Sequence, residues 1–238
     1  MKKLLSLLAL TFPLLAQTYS VGGANGSGGS DCVTTTFTSV VGDTITAALS
    51  TTSGATAITP TASDAKGNTY TQIAGSPFSD TGGNLKQVVW KATVTAGGTL
   101  NAVTLTDGNG STFWKSCAAV EHSNALTTDR ISSASNIGTV NWVTGTTAAT
   151  VQAVEVLLGI FSFDGSDTWT PLGGYTTRQN GNTSNTQTII QDLGVSSTGA
   201  YQATGTAGSA LNGVGTILTL YLPSGGGGGV RKRVGVSR

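Results

Sequence analysis

Oily and hydroxylated residues alternate along most of this chain with a period of two. Val88, Trp90, Ala92 and Val94 share one face of residues 87–94, and Val214, Thr216, Leu218, Leu220 and Leu222 share one face of residues 214–222. Successive side chains of a strand point to opposite sides, so this pattern predicts β-strands with one buried face. Further strands are predicted at 33–37, 44–49, 58–63, 69–73, 100–106, 116–122, 186–193 and 200–206. Residues 154–163 are apolar on both faces, as a strand at the centre of a sandwich would be. Residues 64–68 (DAKGN) read as a tight turn joining two of these runs into a hairpin. No segment has the length and 3.6-residue period of an amphipathic helix. The pattern predicts an all-β protein, a single antiparallel β-sandwich that is jelly-roll-like or immunoglobulin-like.

The two ends of the chain depart from this pattern. Lys2 and Lys3 precede a short apolar run that Pro13 interrupts and small Ala16 closes, which reads as a secretory signal peptide over 1–16. The run is too short to cross a bilayer comfortably, and no second one follows. The mature protein is therefore expected to be secreted or held at the cell surface, without a transmembrane segment. Residues 17–30, which include VGGANGSGGS, read as a Gly/Ser linker. Residues 31–223 form the predicted sandwich domain, and 224–238 a glycine-rich spacer with a basic tail. No internal repeat divides the domain.

Charge and cysteine content narrow the function classes. Charged residues make up only 10% of the chain, and the net charge is +1. Six of the twelve basic residues lie in the leader and tail, so the other six face all eleven acidic residues and the body carries −5. A body of that sign is a poor phosphate ligand, so nucleic acid is not expected as its partner. The two cysteines, Cys32 and Cys117, either remain separate buried thiols or form one disulfide. Such a bridge, permitted outside the cell, would close a loop of roughly 85 residues and contribute about 3–4 kcal/mol.

The order of several short motifs is informative. Asp64-Ala-Lys-Gly-Asn68-Thr-Tyr70, Trp90-Lys-Ala92, Gly97-Gly98-Thr, Val103-Thr-Leu-Thr106 and Ala119-Val-Glu121-His-Ser123 follow one another at modest spacing. Over residues 33–222 the chain resembles a group of uncharacterised secreted bacterial β-sandwich proteins. Their pattern runs Asp-x-x-Gly-Asn-x-Tyr, Trp-x-Ala, a Gly-Gly turn into Val-Thr-x-Thr, and Glu-Tyr-Ser-Gly. His122 and Asn124 stand here where that pattern has Tyr and Gly. The resemblance implies an extracellular jelly-roll or immunoglobulin-like sandwich and supplies no catalytic residues.

Candidate chemistry is sparse. His122 is the only histidine, and as strand neighbours Glu121 and His122 point to opposite faces. No serine sits in a nucleophile elbow, and no cysteine or histidine cluster has zinc spacing. Asp164 and Asp167, in FDGSDTW, either stabilise a turn or contribute carboxylates to Ca²⁺, a cation that takes six to eight oxygen ligands. Trp114, Trp142 and Trp169 fall near predicted loops or strand ends, where an indole is able to stack on a sugar ring. Ordinary packing at the edge of a core is the simpler explanation for any one of them. The expectation is a non-enzymatic extracellular binding or structural module that recognises a glycan or cell-surface polymer. A polysaccharide hydrolase and a virion or fibre subunit remain as alternatives.

Overall fold

The computed structural model describes residues 19–27, 31–110 and 113–223. The expected signal peptide and basic tail lie outside the described residues. In chain order the strands are β1 (Tyr19–Ser27), β2 (Cys32–Val33), β3 (Phe37–Ser39), β4 (Thr44–Thr51), β5 (Thr61–Asp64), β6 (Thr71–Gln72), β7 (Phe78–Ser79), β8 (Lys86–Thr93) and β9 (Gly98–Asn101). They continue with β10 (Val103–Thr106), β11 (Lys115–His122), β12 (Thr127–Val143), β13 (Glu155–Asp164), β14 (Trp169–Pro171), β15 (Thr176–Thr183), β16 (Thr186–Val195) and β17 (Thr204–Tyr221). No helix occurs among the described residues, and every recorded strand pairing is antiparallel. The all-β antiparallel architecture predicted from the alternation is the one observed.

Two large sheets dominate. The first runs β1-β11-β4-β8-β6, with β7 also on β8, and the second runs β12-β17-β13-β16-β15, with β14 on β17. Small sheets β2-β10-β5 and β3-β9 cover the outer side of the first. Three apolar clusters fill the spaces. Ile45, Ala47, Leu49, Val88 and Trp90 meet Phe37, Val103 and Leu105 of the small sheets. Ala48, Val89, Ala118 and Val120 meet Val156, Leu158, Ile160 and Leu218 between the large sheets. Leu157, Phe161, Phe163 and Ile217 meet Trp142, Tyr175 and Ala203 on the far side of the second sheet.

The molecule is therefore two sandwich-like bodies back to back, with more layers than one sandwich has. Both faces of the central strands are covered, which is why β4 and β11 are buried at every position. A strand covered on both sides loses its polar face and becomes continuously small or apolar.

Between the large sheets several buried polar groups bond one another. The Ser50 hydroxyl bonds those of Ser162 and Thr188, Ser116 meets Thr188 at 2.8 Å, and the Gln87 amide donates to the Ser162 hydroxyl at 2.9 Å. These bonds also fix orientation. They place the start of β11 and the end of β13 at one end of the stack, and the end of β11 and the start of β13 at the other.

Three expectations about the chain's path need correcting. Much of the segment expected to be a Gly/Ser linker, residues 19–27, is strand β1, paired in register with β11 from Val21↔Glu121 to Ser27↔Lys115. Its glycines serve close packing: a Cβ on Gly23 would come within 2.1 Å of the Thr35 carbonyl oxygen, and one on Gly26 within 2.0 Å of that of Asn182. The 64–68 turn is present but joins no hairpin, because β5 pairs with β10 and β6 with β8 in different sheets. The separate strands expected at 200–206 and 214–222 merge largely into β17, whose first part lies across the outer face of the second sheet. There Ala203, just before β17, packs on Gly159, at which an added Cβ would lie 2.5 Å from the alanine methyl carbon.

Candidate functional site

The turn motif carrying the family resemblance is a structural staple. Positive φ at Gly67 (+76°) reverses the chain so that the Asp64 carboxylate faces its own turn. Its Oδ1 accepts the N–H groups of Lys66 and Asn68, each at 3.0 Å. Its Oδ2 accepts the Asn68 amide (2.8 Å), the Tyr70 hydroxyl (3.0 Å) and the Asn101 amide (3.2 Å). Asn68 Oδ1 then accepts the N–H groups of Thr95 and Ala96. Burial raises the Asp64 pKa, but the donors from Asn68, Asn101 and Tyr70 outweigh it and hold the carboxyl below its ordinary value. Burial, reinforced by Asp64, pushes the Tyr70 hydroxyl well above its usual range. Asp, Gly, Asn and Tyr are thus required by the turn itself.

The tryptophans expected to face a ligand do not share one environment. Trp142 is 1% exposed, its ring 4.3 Å from that of Phe163 and its N–H donated to the Thr139 carbonyl. That corrects its placement: Trp142 is core, sealed where the first part of β17 covers the second sheet, and no sugar reaches it. Trp169 is half-buried, packed 4.6 Å from Phe161 and hydrogen-bonded to Gln191 at 3.0 Å. Trp114 alone of the three stays open, at 44% exposure. It sits just before β11, at the end of the stack where β13 finishes.

Asp164 and Asp167 lie at that same end with different surroundings. Asp164 is half-buried, and burial together with Asp80 raises its pKa. Asp167 is half-buried and accepts the Ser209 hydroxyl and the Thr168 N–H, which lower its pKa. Its backbone is pinned on both sides by the Gln187 amide. Among the described residues no group of three or more His, Cys, Asp or Glu side chains is placed to hold a metal ion. The Ca²⁺ reading of Asp164 and Asp167 thus gains no third side-chain ligand of that kind.

At the opposite end a buried polar cluster centres on His122. Its Nε2 lies 2.9 Å from Asp192 Oδ2, and Arg178 Nε donates to Asp192 Oδ1 at 2.7 Å. The Arg178 guanidinium also sits 4.9 Å above the Tyr19 ring, and the Tyr19 hydroxyl accepts the Gln179 amide. Four strands meet here: β1 brings Tyr19, β11 His122, β15 Arg178 and β16 Asp192. The cluster bolts the two large sheets together at the edge where β1 would otherwise end free.

His122 is fully buried, and its Nδ1 has no hydrogen-bond partner among the described residues. A catalytic histidine needs a nucleophile or substrate on the nitrogen opposite its carboxylate. Here that nitrogen faces the interior, so the geometry is that of a clamp. Sequence reasoning found His122 but not Asp192, Arg178 or Tyr19. The first two lie about 70 and 56 positions away and belong to no local spacing pattern that would have revealed them.

Glu121, on the other face of β11, accepts the Val40 N–H at 2.8 Å in a different layer. Burial and the neighbouring Asp43 push its carboxyl up to about 7, against the Val40 bond. It is fully buried, so it presents no acid to solvent. The disulfide expected as one of two alternatives is formed: Cys32 of β2 is bonded to Cys117 of β11, joining a small sheet to the first large one. No helix among the described residues is long and apolar enough to cross a membrane. No model of a known protein family, no curated protein and no solved structure matches this chain.

Proposed function

We propose that this protein is a secreted or cell-surface module with a binding or structural role and no catalytic one. One observation carries the reading: the groups best suited to catalysis are used to join layers. His122, Asp192 and Arg178 clamp the two large sheets, Glu121 holds Val40, and Asp64 staples its turn. The disulfide adds a cross-link suited to an oxidising exterior. What remains for a partner is the surface.

Trp114 is the best-placed contact there. An exposed indole at the rim of a rigid sheet offers a flat apolar face for the carbon side of a sugar ring. The test is a glycan array probed with the folded protein and with Trp114→Ala. Trp142→Ala serves as the control, since it perturbs packing without altering the surface. Binding lost in Trp114→Ala and retained by a folded Trp142→Ala supports glycan recognition at this end. Binding to no glycan leaves a purely structural module, and turnover of any polysaccharide on the array overturns the non-enzymatic reading.

A further inference from the structure

Lys115 is the first residue of β11, next to exposed Trp114, and its side chain is fully buried. Its Nζ donates to the Gly110 carbonyl at 2.7 Å and to the Phe113 carbonyl at 3.3 Å, and lies 3.5 Å from Asp107 Oδ1. Asp107 is equally buried and is fixed by two more donors. Its Oδ1 accepts the Asn109 N–H at 2.9 Å, and its Oδ2 accepts the Thr51 hydroxyl at 2.8 Å. The Asp107 carbonyl accepts the Thr59 N–H, the Asn109 amide donates to the Ala57 carbonyl, and the Trp114 carbonyl accepts the Thr52 N–H. One ammonium group thus gathers both flanks of the segment that carries Trp114, and that segment is tied to the chain leaving β4.

A carboxylate and two backbone carbonyls around one positive centre is the arrangement by which Ca²⁺ organises a loop. Here the chain supplies the positive centre itself. A buried ammonium must be matched by acceptors, so Gly110, Phe113 and Asp107 cannot move away without stranding the charge. The surroundings of the indole are therefore ordered before any ligand arrives, which lowers the cost of binding. Charge adds a second constraint. Among the described residues the other cation at this end is Lys86, whose Nζ donates to the Thr56 carbonyl. Lys91, Arg130 and Arg178 belong to the His122 end, and so does Lys66, in the turn that Asn68 ties to Thr95 and Ala96. Five carboxylates, those of Asp31, Asp80, Asp107, Asp164 and Asp167, stand at the Trp114 end against those two cations. A ligand bearing negative charge meets a field of its own sign there.

We propose that Lys115 is a positioning residue for Trp114 and the built-in cation of its loop, so that the site takes uncharged glycan and needs no divalent ion. The ligand class rests on the glycan reading of Trp114 given above. Lys115 does not reach the ligand. Its charge, rather than its bulk, holds the Gly110 and Phe113 carbonyls and through them the indole. A neutral sugar ring then gains the stacking contact. Uronate, sialyl or sulfate groups are repelled by the carboxylates around it.

The four indole N–H groups of the ¹⁵N-labelled protein test the positioning role by NMR, with Trp114 assigned through Trp114→Phe. The heteronuclear NOE of Trp114 is expected to match that of buried Trp142 in the wild type. It is expected to fall in Lys115→Met, which keeps the stem and removes the charge, while the other three indoles stay unchanged. Lys115→Met combined with Asp107→Asn removes both buried charges and covers failure of the single variant to fold. The same fall is expected there, because the two carbonyls still lack their donor. An unchanged Trp114 signal in either folded variant, or a fall shared by all four indoles, overturns the positioning role. So does a wild-type Trp114 NOE below those of the other indoles, which needs no variant. On a glycan array, hits confined to neutral oligosaccharides, kept in millimolar EDTA and weakened about tenfold by the double variant, support the ligand class. Binding to uronate, sialylated or sulfated glycans, or loss of binding in EDTA, overturns it. A silent array removes the glycan reading and the ligand class together, and the NMR result still decides the role of Lys115.

Discussion

At Asp64 one carboxylate does the work of a whole turn. Five donors converge on it, two from the backbone and three from Asn68, Tyr70 and Asn101. Hydrogen bonds to a charged acceptor are stronger than neutral ones, and removing the acceptor strands the donors that burial keeps from water. Asp64→Ala is therefore expected to cost about 2–4 kcal/mol, read as a lower urea midpoint at unchanged slope. A loss within 0.5 kcal/mol would mean that water replaces the carboxylate freely. The residue types at 64–70 were legible in the sequence as turn chemistry, because turn chemistry is local. The same sequence offered no route to the partner of His122, since Asp192 meets it only after two sheets have stacked.

Whole elements were legible to the extent that they carry one oily face. β8, β11, β13, β16 and the second half of β17 lie where the alternation placed them. β12 and β15 were not anticipated because they pair at a sheet edge and present mostly half-exposed polar side chains. β1 was misjudged for a sharper reason: glycine signals a flexible linker and a tightly sandwiched strand in the same way. The structure separates the two by what a side chain would meet. A Cβ on Gly181 of β15 would sit 2.1 Å from the Cys117 carbonyl oxygen and 2.5 Å from that of Asn25 of β1, whereas one on Gly194 meets nothing within 4 Å. Gly181→Ala is expected to lose about 2–3 kcal/mol by forcing β1 and β11 away from β15, and Gly194→Ala almost nothing. Equal stability of the two variants in thermal unfolding would show that the sheets separate easily there.

For the molecule as a whole, the buried acids set the pH at which the stack is tightest. Burial, with Asp43 and Asp129 adding to it, raises Glu121 and Glu155 from 4.5 to about 7. A carboxyl with a raised folded pKa contributes stability that is fully present below its unfolded pKa and is lost as pH climbs through the folded one. Each glutamate therefore withdraws roughly 1–2 kcal/mol between about pH 4.5 and 7, allowing for relaxation of the surrounding groups around the new charge. Asp64 acts in the other direction: its pKa is lowered on folding, so its contribution stands above its unfolded value of 3.8 and disappears as pH falls through the folded one. The two trends meet at about pH 4–5, where the melting temperature is expected to peak and then decline toward neutrality. Glu121→Gln and Glu155→Gln should each flatten part of the alkaline decline. A wild-type profile that rises from pH 5 to pH 8 would show instead that both glutamates are ionised in the folded chain, and that the layers around them accommodate the charges.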